Sequence, residues 1–255
     1  MKFNKIYANG CSFTCAGGLN WPECQKIYKN YLNIDIIDHM DFAYPNILSK
    51  KLGVDIINES AMGGSINRMV RTTYQYIFKN KNDLKDTLFI LEVPPSWRDE
   101  FYSNILNRTI NITPGNINNK NDRTDVANGY DRNDMDKIYK EIKEYFFNFV
   151  DVDYDMFKFT TNLFGLLSYI KMNNWNYLLL DCGTFNNFIK HNNLDNDYNY
   201  VWIEGMPLCE WISLKDISIK HETNGKFIDG HSGIYGNHKI AEHLYYIVTN
   251  EKKII

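Results

Sequence analysis

Two short stretches carry residue types that can do chemistry together. Near the N-terminus, "IYANGCSFTCAGG" (residues 6–18) reads as an apolar strand that breaks into small residues at Cys11 and Ser12. Near the C-terminus, "DGHSGIYGNHKIAEHL" opens with Asp229 and His231, two residues apart. A serine on a tight turn, a histidine to take its proton and an acid to orient the histidine are the parts of a nucleophilic acyl-transfer site, here in the chain order Ser, Asp, His. Cys11 is a second potential nucleophile, since a thiol near a helix N-terminus is acidified. Side chains alternate along an extended segment, so Cys11 and Ser12 cannot both face the same crevice.

The elements that would position these residues follow from periodicity. Strand patterns fall at 3–9, 54–58, 87–93 and 176–181, the third as an unbroken apolar run suited to a strand buried on both faces and the fourth as a further buried strand. Helical spacing appears at 42–52, ended by Gly53, at 65–79 with Ser65 as N-cap, at 135–149, at 155–173 and at 236–248. The alternation predicts an α/β fold: one domain over residues 1–255, a three-layer α/β/α sandwich on a mostly parallel, flavodoxin-like sheet. In such sheets the ligand crevice lies beyond the carboxyl ends of the strands. That rule brings Gly10–Thr14, Asn58–Gly64, Pro94–Arg98 and Asp181–Asn187 to one rim. Residues 103–134, rich in Asn, Asp and Gly, read as a polar insertion, either a surface excursion or a cover over the site, and 185–225 read as irregular.

Three blocks in this order resemble the SGNH hydrolases, also called GDSL-type esterases and lipases. Gly10-Cys11-Ser12 stands where that family has G-D-S, "NESAMG" (58–63) resembles its second block, and "DGHSGIYGNH" resembles its last. The resemblance implies that Ser12 is the nucleophile, His231 the general base and then acid, and Asp229 the group that fixes the histidine tautomer. It also implies that the backbone N–H groups of Ser12 and of Gly63, with Gly64 as the near alternative, bind the oxyanion. A glycine there admits close backbone approach without a Cβ in the way.

Three departures stand out. Cys11 replaces the family's aspartate, a position that is usually structural. The last block has one residue between Asp229 and His231 where the family has two. The third block, which brings an asparagine to the oxyanion hole, has no counterpart in "LEVPPSWRDEF" (91–101). A missing donor of this kind costs about 2.7–4 kcal/mol of transition-state stabilisation. Ser96, Arg98 and Asn186, with its neighbour Asn187, are the candidate substitutes or substrate contacts; Arg98 could equally pair with Asp99 or Glu100.

Bulk properties narrow the partners. A net charge of −3 gives no basic field for nucleic acid, so none is expected. No apolar run approaches a membrane span, and no secretory signal follows Met1, so a cytoplasmic protein, or one on a particle assembled there, is expected. The five cysteines form no even framework, and the spacing of Cys11, Cys15 and Cys24 does not match a zinc knuckle. No metal or other cofactor is expected. The resemblance implies a small-molecule or glycan ester as substrate, with removal of a small acyl group such as acetyl from a carbohydrate the leading expectation. An acyltransferase on the same fold and a catalytically weak glycan- or protein-binding module are the alternatives. In style the chain resembles hydrolase-like proteins of phages and large viruses, which keeps a virion role open.

Overall fold

A computed structural model describes residues 3–103, 107–112, 142–143, 152–183, 199–201, 203–204 and 206–250. Strands β1 (Lys5–Asn9), β2 (Asp55–Asn58), β3 (Thr87–Val93) and β6 (Asn176–Asp181) form a parallel sheet in the order β2-β1-β3-β6. Residues 199–201 run beside Leu179 in parallel, with the Leu179 N–H donating to the Asn199 carbonyl at 2.9 Å. A parallel strand cannot be closed by a tight hairpin, so each crossover carries helix.

The apolar runs bury both faces of the sheet. Ile6, Ala8, Leu88, Ile90, Leu178 and Leu180 point to one side, while Tyr7, Phe89, Leu91, Tyr177 and Leu179 point to the other. The first side is covered by α2 (Tyr44–Leu52), α5 (Leu208–Leu214) and α7 (Ile234–Thr249), the second by α3 (Ile66–Lys79) and α4 (Val152–Met172). Each side chain of this size removed from water stabilises the fold by about 1.5–3 kcal/mol. The result is a three-layer α/β/α sandwich.

Local signals set the element ends. Ser65 Oγ accepts from the Arg68 N–H at 3.1 Å and starts α3, and Gly53 at φ 67° ends α2. Helix α1 (Pro22–Leu32), which the periodicity did not single out, begins on Pro22, where the missing N–H costs nothing. The polar insertion expected over 103–134 starts differently: Asp99–Ser103 (β4) pairs antiparallel with Arg108–Ile112 (β5). The pairing is driven by burial of Ile110 and Ile112, at 1% and 0% exposure, inside an otherwise polar stretch. Its remainder, like the helix expected at 135–149 apart from residues 142–143, lies outside the described residues. The segment expected to be irregular over 185–225 contains α5 and the single turn α6 (Ile219–Glu222). No helix among the described residues is long and apolar enough to cross a membrane.

Candidate active site

The break after β1 is built by Asn9. Its Oδ1 accepts from the Gly10 N–H at 2.9 Å, and its buried Nδ2 donates to Thr72 Oγ1 at 2.7 Å and to the Met69 carbonyl at 3.2 Å on α3. The chain therefore turns at Gly10, and the next two side chains part company. Cys11, fully buried, donates from Sγ to Glu92 Oε1 at 3.3 Å, while its N–H donates to Glu92 Oε2 at 3.1 Å. Burial pushes the Cys11 thiol well above the ordinary range. Ser12 meets the histidine instead: its Oγ lies 2.7 Å from His231 Nε2 and 4.0 Å from Cys11 Sγ.

The histidine is held from three directions. Asp229 Oδ1 accepts from His231 Nδ1 at 2.6 Å and from the His231 backbone N–H at 2.7 Å. The one-residue spacing between acid and histidine works because the same carboxylate oxygen closes a tight turn onto the backbone. Burial opposes the ionised form of Asp229, but the hydrogen bonds and charge of His231 more than offset this and hold it below the usual carboxylate range. With Asp229 ionised, Nδ1 carries the proton and Nε2 is left as acceptor for the Ser12 hydroxyl. Phe13 packs on the imidazole, ring centroids 4.5 Å apart.

The turn itself is pinned to its neighbours. The Ile219 N–H donates to the His231 carbonyl at 2.8 Å, and the Lys220 N–H donates to the Asp229 carbonyl at 3.1 Å. Glu222, at the end of α6, accepts from the Gly236 N–H in the first turn of α7 at 2.9 Å and from Tyr28 Oη at 2.7 Å. Burial raises its carboxyl above the ordinary value. Gly18 completes the frame: a Cβ there would meet Ile219 Cδ1 at 2.4 Å, His231 Cβ at 3.0 Å and Asp229 Oδ1 at 3.2 Å. Sequence reasoning did not single out Glu222, Glu92 or Gly18; the glutamates become visible only once β3 and α7 are packed.

The loop after β2 is stitched to the loop after β1. The Glu59 N–H donates to the Ala8 carbonyl at 2.8 Å, and Asn58 Oδ1 accepts from the Ser60 N–H at 3.2 Å. Gly63 adopts φ 67°, a left-handed conformation costly for a side chain. Among the described residues, no backbone acceptor meets the N–H of Ser12 or of Gly63, whereas the Gly64 N–H is taken up by the Ala61 carbonyl at 3.0 Å.

The remaining expected residues divide. Ser96 is half-buried in the turn after β3. Arg98 does not pair with Asp99 or Glu100: Arg71 holds Glu100 through two 2.8 Å bonds, and Asp99 Oδ1 accepts from Asn67 Nδ2 at 2.8 Å. The Arg98 guanidinium instead turns inward to the charge environment of Cys11, Cys182 and Glu92, with Nε and Nη1 buried and without a hydrogen-bond partner. Asn186 and Asn187 lie outside the described residues. Asn111 on β5 was not anticipated; its Nδ2 donates to the Met62 carbonyl, beside Gly63, at 3.4 Å. Of potential metal ligands, Cys11, Glu92 and Cys182 place ligating atoms within 4.8 Å of one another.

No protein-family model matches the sequence, and no curated protein matches it. Among solved structures, the chain is similar to a psychrotrophic esterase, EstA, from Pseudoalteromonas sp., at a TM-score of 0.51 and 12% identity over 97% of both chains. It also aligns with a protein assigned to the lipolytic G-D-S-L family from Desulfitobacterium hafniense, at a TM-score of 0.48 and 11% identity over 96% of this chain and 99% of that one. Near-complete coverage of both chains makes the likeness one of whole folds. The chain shares its overall fold with the EstA esterase.

Proposed function

We propose that the chain is a serine-dependent ester hydrolase. One observation carries the reading: Ser12 Oγ, His231 and Asp229 are linked in series at 2.7 and 2.6 Å. In this mechanism Ser12 Oγ attacks the ester carbonyl while its proton passes to His231 Nε2. The developing oxyanion is met by the N–H groups of Ser12 and Gly63. The tetrahedral intermediate expels the alcohol, which takes the proton back from Nε2, and an acyl group remains on Ser12. Water then repeats the sequence, giving its proton to His231 and releasing the acid. Asp229 stays ionised and stabilises the imidazolium.

The surroundings of Ser12 support a small acyl group. A Cβ at Gly17 would lie 2.9 Å from Ser12 Cβ and 3.1 Å from Met62 Cγ, so the space beside the nucleophile is narrow. Trp97, 49% exposed in the turn after β3, supports a carbohydrate on the alcohol side, where an aromatic face can stack on a sugar. The proposed substrate is accordingly an acetylated carbohydrate.

Turnover of p-nitrophenyl acetate and of an acetylated sugar by wild type and by Ser12→Ala tests the reading. Loss of about a thousand-fold or more is expected, together with phosphonate labelling of Ser12; the EstA neighbour was itself solved inhibited by monoethylphosphonate. Activity that survives Ser12→Ala would overturn it.

A further inference from the structure

The buried side of the Ser12 turn leads into a group of sulfurs that the ester chemistry does not use. Cys182 directly follows β6, its N–H donating to the Val93 carbonyl at 3.2 Å, and its side chain lies beside Cys11 and Glu92. On its other side, Cys182 Sγ is 2.7 Å from Cys209 Sγ in the first turn of α5. A disulfide needs its sulfurs about 2.05 Å apart, so small side-chain rotations would suffice to join this pair. We infer that Cys182 and Cys209 form a redox site, oxidised to a disulfide by a peroxide and restored by a dithiol.

The two thiols have different access. Cys182 is 5% exposed, whereas Cys209 is only partly buried and can meet an oxidant from solvent. Cys209 sulfur attacks one peroxide oxygen; the O–O bond breaks, leaving a sulfenic acid on Cys209 and releasing water. Cys182 sulfur then attacks the sulfenic sulfur; the S–S bond forms, the S–O bond breaks, and the hydroxyl leaves as water with the Cys182 proton. Two thiols lose two electrons, and one peroxide becomes two waters.

Cys11 is the competing partner for Cys182, but its thiol is held by Glu92 and has no solvent access. The Arg98 guanidinium, with two buried nitrogens that lack hydrogen-bond partners, lies in the same charge environment as Cys182. Burial pushes the Cys182 thiol well above the ordinary range, and the Cys209 thiol is raised as well. The bond would tie the end of β6 to the start of α5 across the intervening stretch of chain. It stabilises mainly by restricting the unfolded chain.

The test is peroxide treatment, alkylation and peptide mapping of the full chain, with a thermal melt. Two of the five thiols should be lost, a Cys182–Cys209 linked peptide should appear, and Tm should rise by roughly 5 °C, all reversed by dithiothreitol. Cys209→Ser, with Cys209→Ala as the second variant, should keep its thiols and its melting temperature on the same treatment. Five alkylated thiols after peroxide, a Cys11–Cys182 peptide, or undiminished thiol loss in the Cys209 variants would each overturn the inference. So would stoichiometric zinc in the purified protein that must be chelated before Cys182 and Cys209 alkylate. None of these readouts depends on esterase activity, so the two readings fail separately.

Discussion

Glu92 on β3 clasps Cys11 from behind, accepting from its thiol at 3.3 Å and from its backbone N–H at 3.1 Å. Glu92 Oε2 also accepts from Thr14 Oγ1 at 2.5 Å, so one fully buried carboxylate braces the whole Gly10–Thr14 turn. The aspartate that the GDSL pattern leads one to expect at position 11 is absent, and a carboxylate from the neighbouring strand does the bracing. Cys11→Asp, which restores the G-D-S sequence, should therefore destabilise, because it would set two carboxylates against each other in a buried site. Glu92→Ala should relieve it. A double-mutant cycle by urea unfolding should give a coupling energy of about 1–3 kcal/mol in the rescuing direction; additive effects would show that Glu92 does not serve the turn.

Asp229 gives a pH signature. Its folded-state pKa is depressed, so its contribution to stability is complete above the unfolded carboxylate value of about 3.9 and is lost as pH falls through the folded value. Asp229→Asn should thus be less stable than wild type at pH 7, with the gap closing below about pH 4. The same variant should lose roughly 10²–10⁴-fold in kcat, because the amide no longer enforces the Nδ1–H tautomer. Equal gaps at pH 7 and pH 3 would mean that the carboxylate charge does not hold the histidine turn.

Glu222 behaves with the opposite sign. Burial raises its folded-state pKa, so its ionisation works against folding as pH climbs from the unfolded glutamate value through the folded one. Glu222→Gln keeps an acceptor for the Gly236 N–H without a buried charge. Its stability relative to wild type should therefore improve with rising pH across that window. Glu222→Ala, which orphans Tyr28 Oη and the α7 N–H groups, should cost about 1–3 kcal/mol. Urea titrations of the three proteins from pH 4 to pH 8 decide it.

These sites also show how far the sequence could be read. The strands at Thr87–Val93 and Asn176–Asp181 were legible to the residue, because double-sided burial leaves a largely apolar run. Ser65 and Gly53 marked helix ends by their own chemistry. Glu92 was not legible: it reads as one polar letter in an apolar strand, and only the adjacency of β1 and β3 gives it Cys11 and Thr14 as partners. The β4–β5 pairing was hidden because Ile110 and Ile112 are the buried aliphatic residues of β5, too short an alternation to stand out from its Asn-rich surroundings.

That hairpin brings Asn111 to the Met62 carbonyl at 3.4 Å, one residue from Gly63, while the end of β3 supplies no asparagine. One Nδ2 hydrogen is engaged by that carbonyl, and we assign the second to an oxyanion on Ser12. A side-chain amide reaching the oxyanion turn from β5 would restore the donor missing from the third block. Asn111→Ala should then lower kcat on p-nitrophenyl acetate by about 10²-fold with little change in KM, the mark of an interaction made only in the transition state. Asn111→Asp should be worse than alanine, because a carboxylate would face the developing negative charge. A purely structural Asn111 would instead lower the melting temperature of both variants and leave kcat of the folded protein within about twofold of wild type.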